Sequence, residues 1–130
     1  MADQLYREII LDHYRNPRNK GTLDPADYSH EDTNPLCGDE VRIDLRVSGD
    51  RVEAVRFSGR GCAISMASAS VLTEMVEGRT LAEVKAIARD DLLAEIEAPI
   101  GPARMKCATL GLKVLKAGLS GGGQAGDDEL

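Results

Sequence analysis

A single domain of mixed type, helices combined with antiparallel strands, is predicted by three features of this sequence. An apolar stripe at helical spacing opens the chain, strict period-two alternation runs through its middle, and helical patterns punctuated by Gly and Pro fill its second half. A length of 130 residues is that of one domain with enough chain to bury a core.

The first element follows Asp3, a good N-cap, and runs through Leu5, Tyr6, Ile9, Ile10 and His13. Pro17 ends it, because the residue before a proline avoids the α region. Residues 18–35 are rich in Asn, Asp, Gly and Pro and read as an irregular connection, with its end, ahead of Cys37, the candidate for a third strand. From Val41 the period becomes two. Val41, Ile43, Leu45 and Val47 face one way and Arg42, Asp44 and Arg46 the other. Ser48-Gly49-Asp50-Arg51 supplies a turn, and Val52 to Phe57 a return strand whose broken alternation suits a bulge.

Gly59-Arg60-Gly61 then leads into Cys62 and a helix of small residues reaching Glu77, with Cys62 expected in its first turn. Glycines followed by small residues imply the close approach of another backbone. Gly78 suits a helix stop, and Thr80 with Glu83 forms a capping box for a helix through Leu81, Val84 and Ile87. Asp91 to Ile96 is a further helical turn. Pro99, Gly101 and Pro102 precede a last helix from about Ala103 to Ala117, with Gly118 at its end and Cys107 one turn in. Residues 1–119 are thus the expected domain, and the glycine-rich acidic tail 120–130 is expected to be disordered.

Composition narrows the function. A formal charge of −6, with one Phe, three Tyr and no Trp, argues against a nucleic-acid partner, which needs a basic surface and stacking rings. No apolar run approaches the roughly 18 residues of a membrane span, and the N-terminus shows no signal-peptide core, so a cytoplasmic location is expected. Three cysteines, an odd number, point to free thiols, a metal or redox chemistry rather than to a disulfide framework.

The chemistry centres on Asn34-Pro35-Leu36-Cys37-Gly38-Asp39, which sets a thiol and a carboxylate two residues apart ahead of a strand. Any one free cysteine is an ordinary small core residue. These three, however, all stand beside Gly or Pro punctuation or in the opening of a helix, where a thiol can meet a partner. Cys37, Cys62, Cys107 and Asp39 suffice for one tetrahedral metal ion or a small iron–sulfur cluster. No Cys-x-x-Cys pair is present, which excludes a zinc finger or thioredoxin-type motif. Asp39 is otherwise a turn-forming carboxylate. As a ligand, it is harder than thiolate and would suit a cargo that must leave. His13 belongs to a helix stripe and His30 to the connecting loop, so neither is the obvious ligand. Lys106, beside Cys107, is either a solvated charge or an aid to that thiol.

At these residues the chain resembles the IscU/SufU group of iron–sulfur cluster assembly proteins, related to the N-terminal domain of NifU. The resemblance spans about Leu5 to Leu119. It is carried by Asp12-His13-Tyr14, Asn16-Pro17-Arg18-Asn19, Asn34-Pro35-Leu36-Cys37-Gly38-Asp39, Gly59-Arg60-Gly61-Cys62-Ala63-Ile64-Ser65 and Lys106-Cys107. It implies an α+β domain, a small antiparallel sheet with helices packed on one face. It further implies ligands at Cys37, Asp39, Cys62 and Cys107, with Cys107 as sulfur acceptor. The implied partners are a PLP-dependent cysteine desulfurase, which supplies persulfide, and apo-proteins that receive a transient [2Fe–2S] cluster.

Two branches of the family differ in mechanism. The IscU branch has a His before the last cysteine and a Leu-Pro-Pro-Val-Lys motif read by an Hsp70-type chaperone. Here that region reads Ala98-Pro99-Ile100-Gly101-Pro102-Ala103-Arg104-Met105-Lys106-Cys107, so the chaperone motif is absent. Pro102-Ala103-Arg104, Lys106 and the run Ser65-Met66-Ala67-Ser68-Ala69-Ser70 resemble the SufU branch, zinc-dependent sulfur carriers in which the residue matching Arg104 helps exchange a zinc ligand. The spacing between the last two cysteines is short, as in IscU. The resemblance therefore leaves open a cluster scaffold and a zinc-dependent sulfurtransferase. A structural zinc module is a third reading, although this chain has enough helix and strand to fold without metal.

Overall fold

The computed structural model describes residues 2–34, 38–96 and 100–119, without the side chains of 2–7 and 103. The tail from Ser120, and with it the expectation of disorder there, lies outside the described residues, as does Cys37. The elements are α1 (Ala2–Arg15), β1 (Tyr28–Asn34), β2 (Asp39–Ser48), β3 (Arg51–Arg60), α2 (Ala63–Val76), α3 (Leu81–Lys85), α4 (Arg89–Ile96) and α5 (Pro102–Leu119). The fold is α+β, as expected.

The strands form one antiparallel sheet in the order β1-β2-β3. The apolar face of the central strand, Val41, Ile43 and Leu45, is joined by Val52, Val55 and Phe57 of β3, and all six are buried. Helices α2 and α5 lie on this face, and α1 packs on α2. Arg46 pairs with Ala54 but Val47 with Val52, so Glu53 is an extra residue on β3. This bulge explains why Val52 and Val55, three residues apart, both point inward.

Residues 18–35 are less irregular than the sequence suggests. Their second half is β1, paired along its length from Tyr28↔Leu45 to Asn34↔Asp39, which also places His30 in a strand rather than a loop. The strand escapes apolar patterning because Tyr-Ser-His-Glu-Asp-Thr-Asn alternates half-buried and exposed polar residues at a sheet edge. The first half borders β3, where Phe57 N donates to Asn19 O at 2.9 Å and Gly21 N to Phe57 O at 2.8 Å. It also covers Asp44 on the outer sheet face, through Leu23 N donating to Asp44 Oδ2 at 3.0 Å.

The later helices follow their local signals. Thr80 and Glu83 form the expected capping box, and Pro102 occupies the first position of α5, where its missing N–H costs nothing. Several boundaries differ from expectation: β3 runs on to Arg60, α3 stops at Lys85 short of Ile87, and α4 begins at Arg89 rather than Asp91. Helix α1 begins at Ala2, one residue before Asp3. Cys62 is the N-cap of α2, not part of its first turn. Gly118 lies inside α5, where a Cβ would come within 3.1 Å of His30 Cβ, so it admits β1 rather than ending the helix. The expected close approach is real: a Cβ on Gly111 would lie 3.5 Å from Ala69 Cα, so α2 and α5 meet through small residues.

Candidate metal and sulfur site

Residues from three elements converge at one end of the sheet. Asp39 opens β2, Cys62 caps α2, and Cys107 lies in the second turn of α5. One ligand atom from each of Asp39, Cys62 and Cys107 lies within 4.8 Å of the others.

Local geometry explains the convergence. Cys62 has extended backbone angles, and its sulfur accepts from Ser65 N at 3.5 Å, satisfying one of the orphan donors at the helix start. Asp39 Oδ1 accepts the Cys62 N–H at 2.9 Å, while Asp39 Oδ2 lies 3.6 Å from Cys62 Sγ. Two glycines permit this. A Cβ on Gly59, at φ +130°, would overlap the Glu40 carbonyl across the sheet, and a Cβ on Gly61 would overlap Asp39 Oδ1. Gly38, at φ +72°, donates its N–H to Asn34 O at 2.7 Å and brings the chain back into β2.

The donor set fits a thiophilic ion. A tetrahedral zinc with Zn–S of about 2.3 Å and Zn–O of about 2.0 Å places its ligand atoms about 3.5–3.8 Å apart. The Cys62–Asp39 separation of 3.6 Å matches this as it stands, and the 4.8 Å limit requires only small shifts of the remaining group. Asp39 and Cys107 are each 1% exposed, whereas Cys62 is half-buried and is the accessible thiol of the two described.

Of the residues predicted from sequence, Asp39, Cys62 and Cys107 are brought together, and Cys37 lies outside the described residues. Arg104 and Lys106 are exposed in the opening turns of α5, on its solvent side, while Cys107 turns inward. His13 is not at this site. It hydrogen-bonds Ser70 Oγ at 2.8 Å and approaches Glu74 at 3.6 Å, joining α1 to α2. Sequence reading missed Ser65, which is 1% exposed and packed against Cys62. Its position three residues after the N-cap, where a capping partner stands, was the available signal.

The NifU-like N-terminal domain family model matches residues 5–121. The zinc-dependent sulfurtransferase SufU of Bacillus subtilis is 42% identical over 135 residues, covering 91% of this chain and 91% of the relative. The iron–sulfur cluster assembly scaffold protein IscU of Escherichia coli K12 is 36% identical over 119 residues, covering 88% and 91%. Among solved structures, FiSufU of Fervidobacterium islandicum AW-1 superposes with a TM-score of 0.76 at 30% identity, covering 86% of this chain and 94% of that one. The N-terminal part of a NifU-like protein of Brucella abortus shares the fold, with a TM-score of 0.76 at 23% identity and 92% and 95% coverage. The chain belongs to the NifU-like N-terminal domain family, to which the IscU and SufU resemblance pointed. No helix among the described residues is long and apolar enough to cross a membrane.

Proposed function

We propose that this protein accepts persulfide sulfur from a cysteine desulfurase and assembles a transient [2Fe–2S] cluster for transfer to apo-proteins. Cys37, Asp39, Cys62 and Cys107 are the proposed ligands. The observation that carries this reading is the meeting of Asp39, Cys62 and Cys107, from three separate elements, within 4.8 Å. Two thiols and a carboxylate converging in this way form a donor set for iron or zinc.

In the sulfur step, the Cys107 thiolate attacks the outer sulfur of the desulfurase persulfide. The donor's S–S bond breaks, its cysteine leaves as thiolate, and Cys107 carries the new persulfide. Releasing that sulfur as sulfide takes two electrons from a reductant. The burial of Cys107 means that docking must uncover it first. Arg104 and Lys106, exposed beside it, are the proposed supporting groups: their positive charge suits an anionic persulfide.

The 42% identity to SufU favours a second reading, a zinc-dependent sulfurtransferase that relays sulfur without holding a cluster. Bound zinc would keep the thiols deprotonated. Here Asp39 would supply the weakest ligand, being the only non-thiolate in the set.

One experiment separates the readings. The purified protein is mixed anaerobically with a cysteine desulfurase, cysteine, a reductant and ferrous iron. Metal content, sulfide and visible spectrum are then followed. Stoichiometric iron and sulfide with [2Fe–2S] charge-transfer bands, followed by transfer to an apo-ferredoxin, establish the scaffold. Retained zinc, a colourless protein and accelerated desulfurase turnover establish the carrier. Neither outcome would reject both.

A further inference from the structure

We propose that Ser65 is a positioning residue for the metal site, holding the Cys62 sulfur by hydrogen bonds from its backbone and from its side chain. The inference rests on the reading that Cys62 is a metal ligand. It assigns a role to a residue that is not itself one.

Three contacts converge on this pair. Ser65 N lies 3.5 Å from Cys62 Sγ, Ser65 Oγ lies 3.7 Å from the same sulfur, and Ser65 Oγ donates to the Cys62 carbonyl at 3.1 Å. The hydroxyl therefore stands between two acceptors on one residue, carbonyl oxygen and sulfur. With a thiol at Cys62, the carbonyl is the better acceptor and the S–H can point to Ser65 Oγ or to Asp39 Oδ2. Once the sulfur is a metal-bound thiolate, it carries no proton and its lone pairs become the stronger acceptor. Rotation of the Ser65 O–H alone then supplies a second hydrogen bond, with no heavy atom moving. The site is shaped around this hydroxyl, since a Cβ on Gly61 would lie 2.7 Å from Ser65 Oγ. Ser65 is 1% exposed, so its hydroxyl is turned into the site rather than to solvent.

Outer-shell partners of metal ligands typically contribute 10–100-fold in metal affinity, and hydrogen bonds to a thiolate lower the energy of its donor orbitals. Ser65→Ala should therefore weaken metal binding and alter the sulfur-to-metal charge-transfer band, while leaving the helix intact. Ser68→Ala is the matched control. It deletes another buried hydroxyl, one turn further along α2, which has no hydrogen-bond partner among the described residues.

The test titrates Co²⁺ into metal-free protein of each form and records the thiolate-to-cobalt band, the affinity and the far-UV circular dichroism. We expect a band in the wild type, a shift to longer wavelength with about tenfold weaker binding in Ser65→Ala, and wild-type behaviour in Ser68→Ala. An unmoved band in Ser65→Ala, or an equal shift in Ser68→Ala, overturns the role of Ser65 while leaving the site reading in place. Absence of any thiolate-to-cobalt band in the wild type overturns both.

Discussion

The backbone N–H of Cys62 donates to Asp39 Oδ1 at 2.9 Å, and this bond fixes how the carboxylate meets the thiol. Oδ1 is engaged by the start of α2, so Oδ2, 3.6 Å from Cys62 Sγ, is the oxygen that faces the sulfur. The helix terminus, with its unsatisfied N–H groups, is a favourable place for that negative charge. Two of the proposed ligands are thus held by the fold in advance, which would reduce the ordering that binding an ion requires.

Gly61→Ala tests that arrangement. The added methyl would overlap Asp39 Oδ1 and crowd Ser65 Oγ, so the carboxylate must move away from the helix start. The expected result is a loss of at least about tenfold in zinc affinity, with a destabilisation of about 1–3 kcal/mol typical of overpacking. Competition with a chromophoric chelator and urea denaturation measure the two effects. Unchanged affinity would mean that Asp39 is not held as described.

The two described thiols should differ in reactivity. Cys62 is half-buried and Cys107 is 1% exposed, so a short iodoacetamide pulse on the metal-free native protein should label Cys62 before Cys107. Alkylation requires contact with the sulfur, and a difference of about tenfold or more is expected, vanishing in denaturant. Peptide mass mapping reads the order. Equal labelling would show that Cys107 is accessible without a partner.

Cys62 and Cys107 stood out as thiols beside Gly or near the start of a helix, whereas Asp39 read equally well as a turn-forming carboxylate, and the family resemblance joined them into one ligand set. The central hairpin was equally clear in the alternation of Val41, Ile43, Leu45 and Val47. Strand β1 was not, since its register depends on pairing with β2 and its residues carry almost no apolar signal. Gly118 misled because a glycine near a helix end usually stops it, whereas here packing against His30 demands it. Ser65 was passed over for a related reason: among Ser65, Ser68 and Ser70 of one small-residue helix, only its place three residues after Cys62 set it apart.

Asp44 anchors the connection that crosses the outer face of the sheet. It is 1% exposed and accepts hydrogen bonds from Ser29 Oγ at 2.6 Å, Leu23 N at 3.0 Å and Arg42 Nε at 2.9 Å. Burial opposes its charge, but these donors outweigh it and hold the carboxyl below its ordinary range. Asp44→Ala strands the Leu23 N–H and removes the carboxylate to which Arg42 Nε donates. Because Arg42 is 42% exposed, water offsets part of that loss. A destabilisation of about 1–3 kcal/mol is expected in urea denaturation, with metal affinity unchanged. A neutral result would place the anchoring elsewhere in residues 18–27.

His13 should make stability depend on pH near neutrality. Burial, aided by the Arg18 charge, lowers its pKa below the ordinary value of 6.5, against the opposing pull of Glu74 and Asp12. The folded protein therefore holds the ring neutral where the unfolded chain would already bind a proton. With more protons on the unfolded state, stability rises with pH through that window. Its contribution is complete above about pH 6.5 and is lost progressively as pH falls from there through the lowered folded value. The depressed carboxyls of Asp12, Asp44 and Glu83 act in the same direction, but only lower, beneath their ordinary values of 3.8, 3.8 and 4.5. Urea midpoints of the metal-free protein should therefore decline between about pH 7 and 5, and His13→Gln should flatten that decline while leaving the more acidic transition in place. A slope unchanged in His13→Gln would assign the titration to another group.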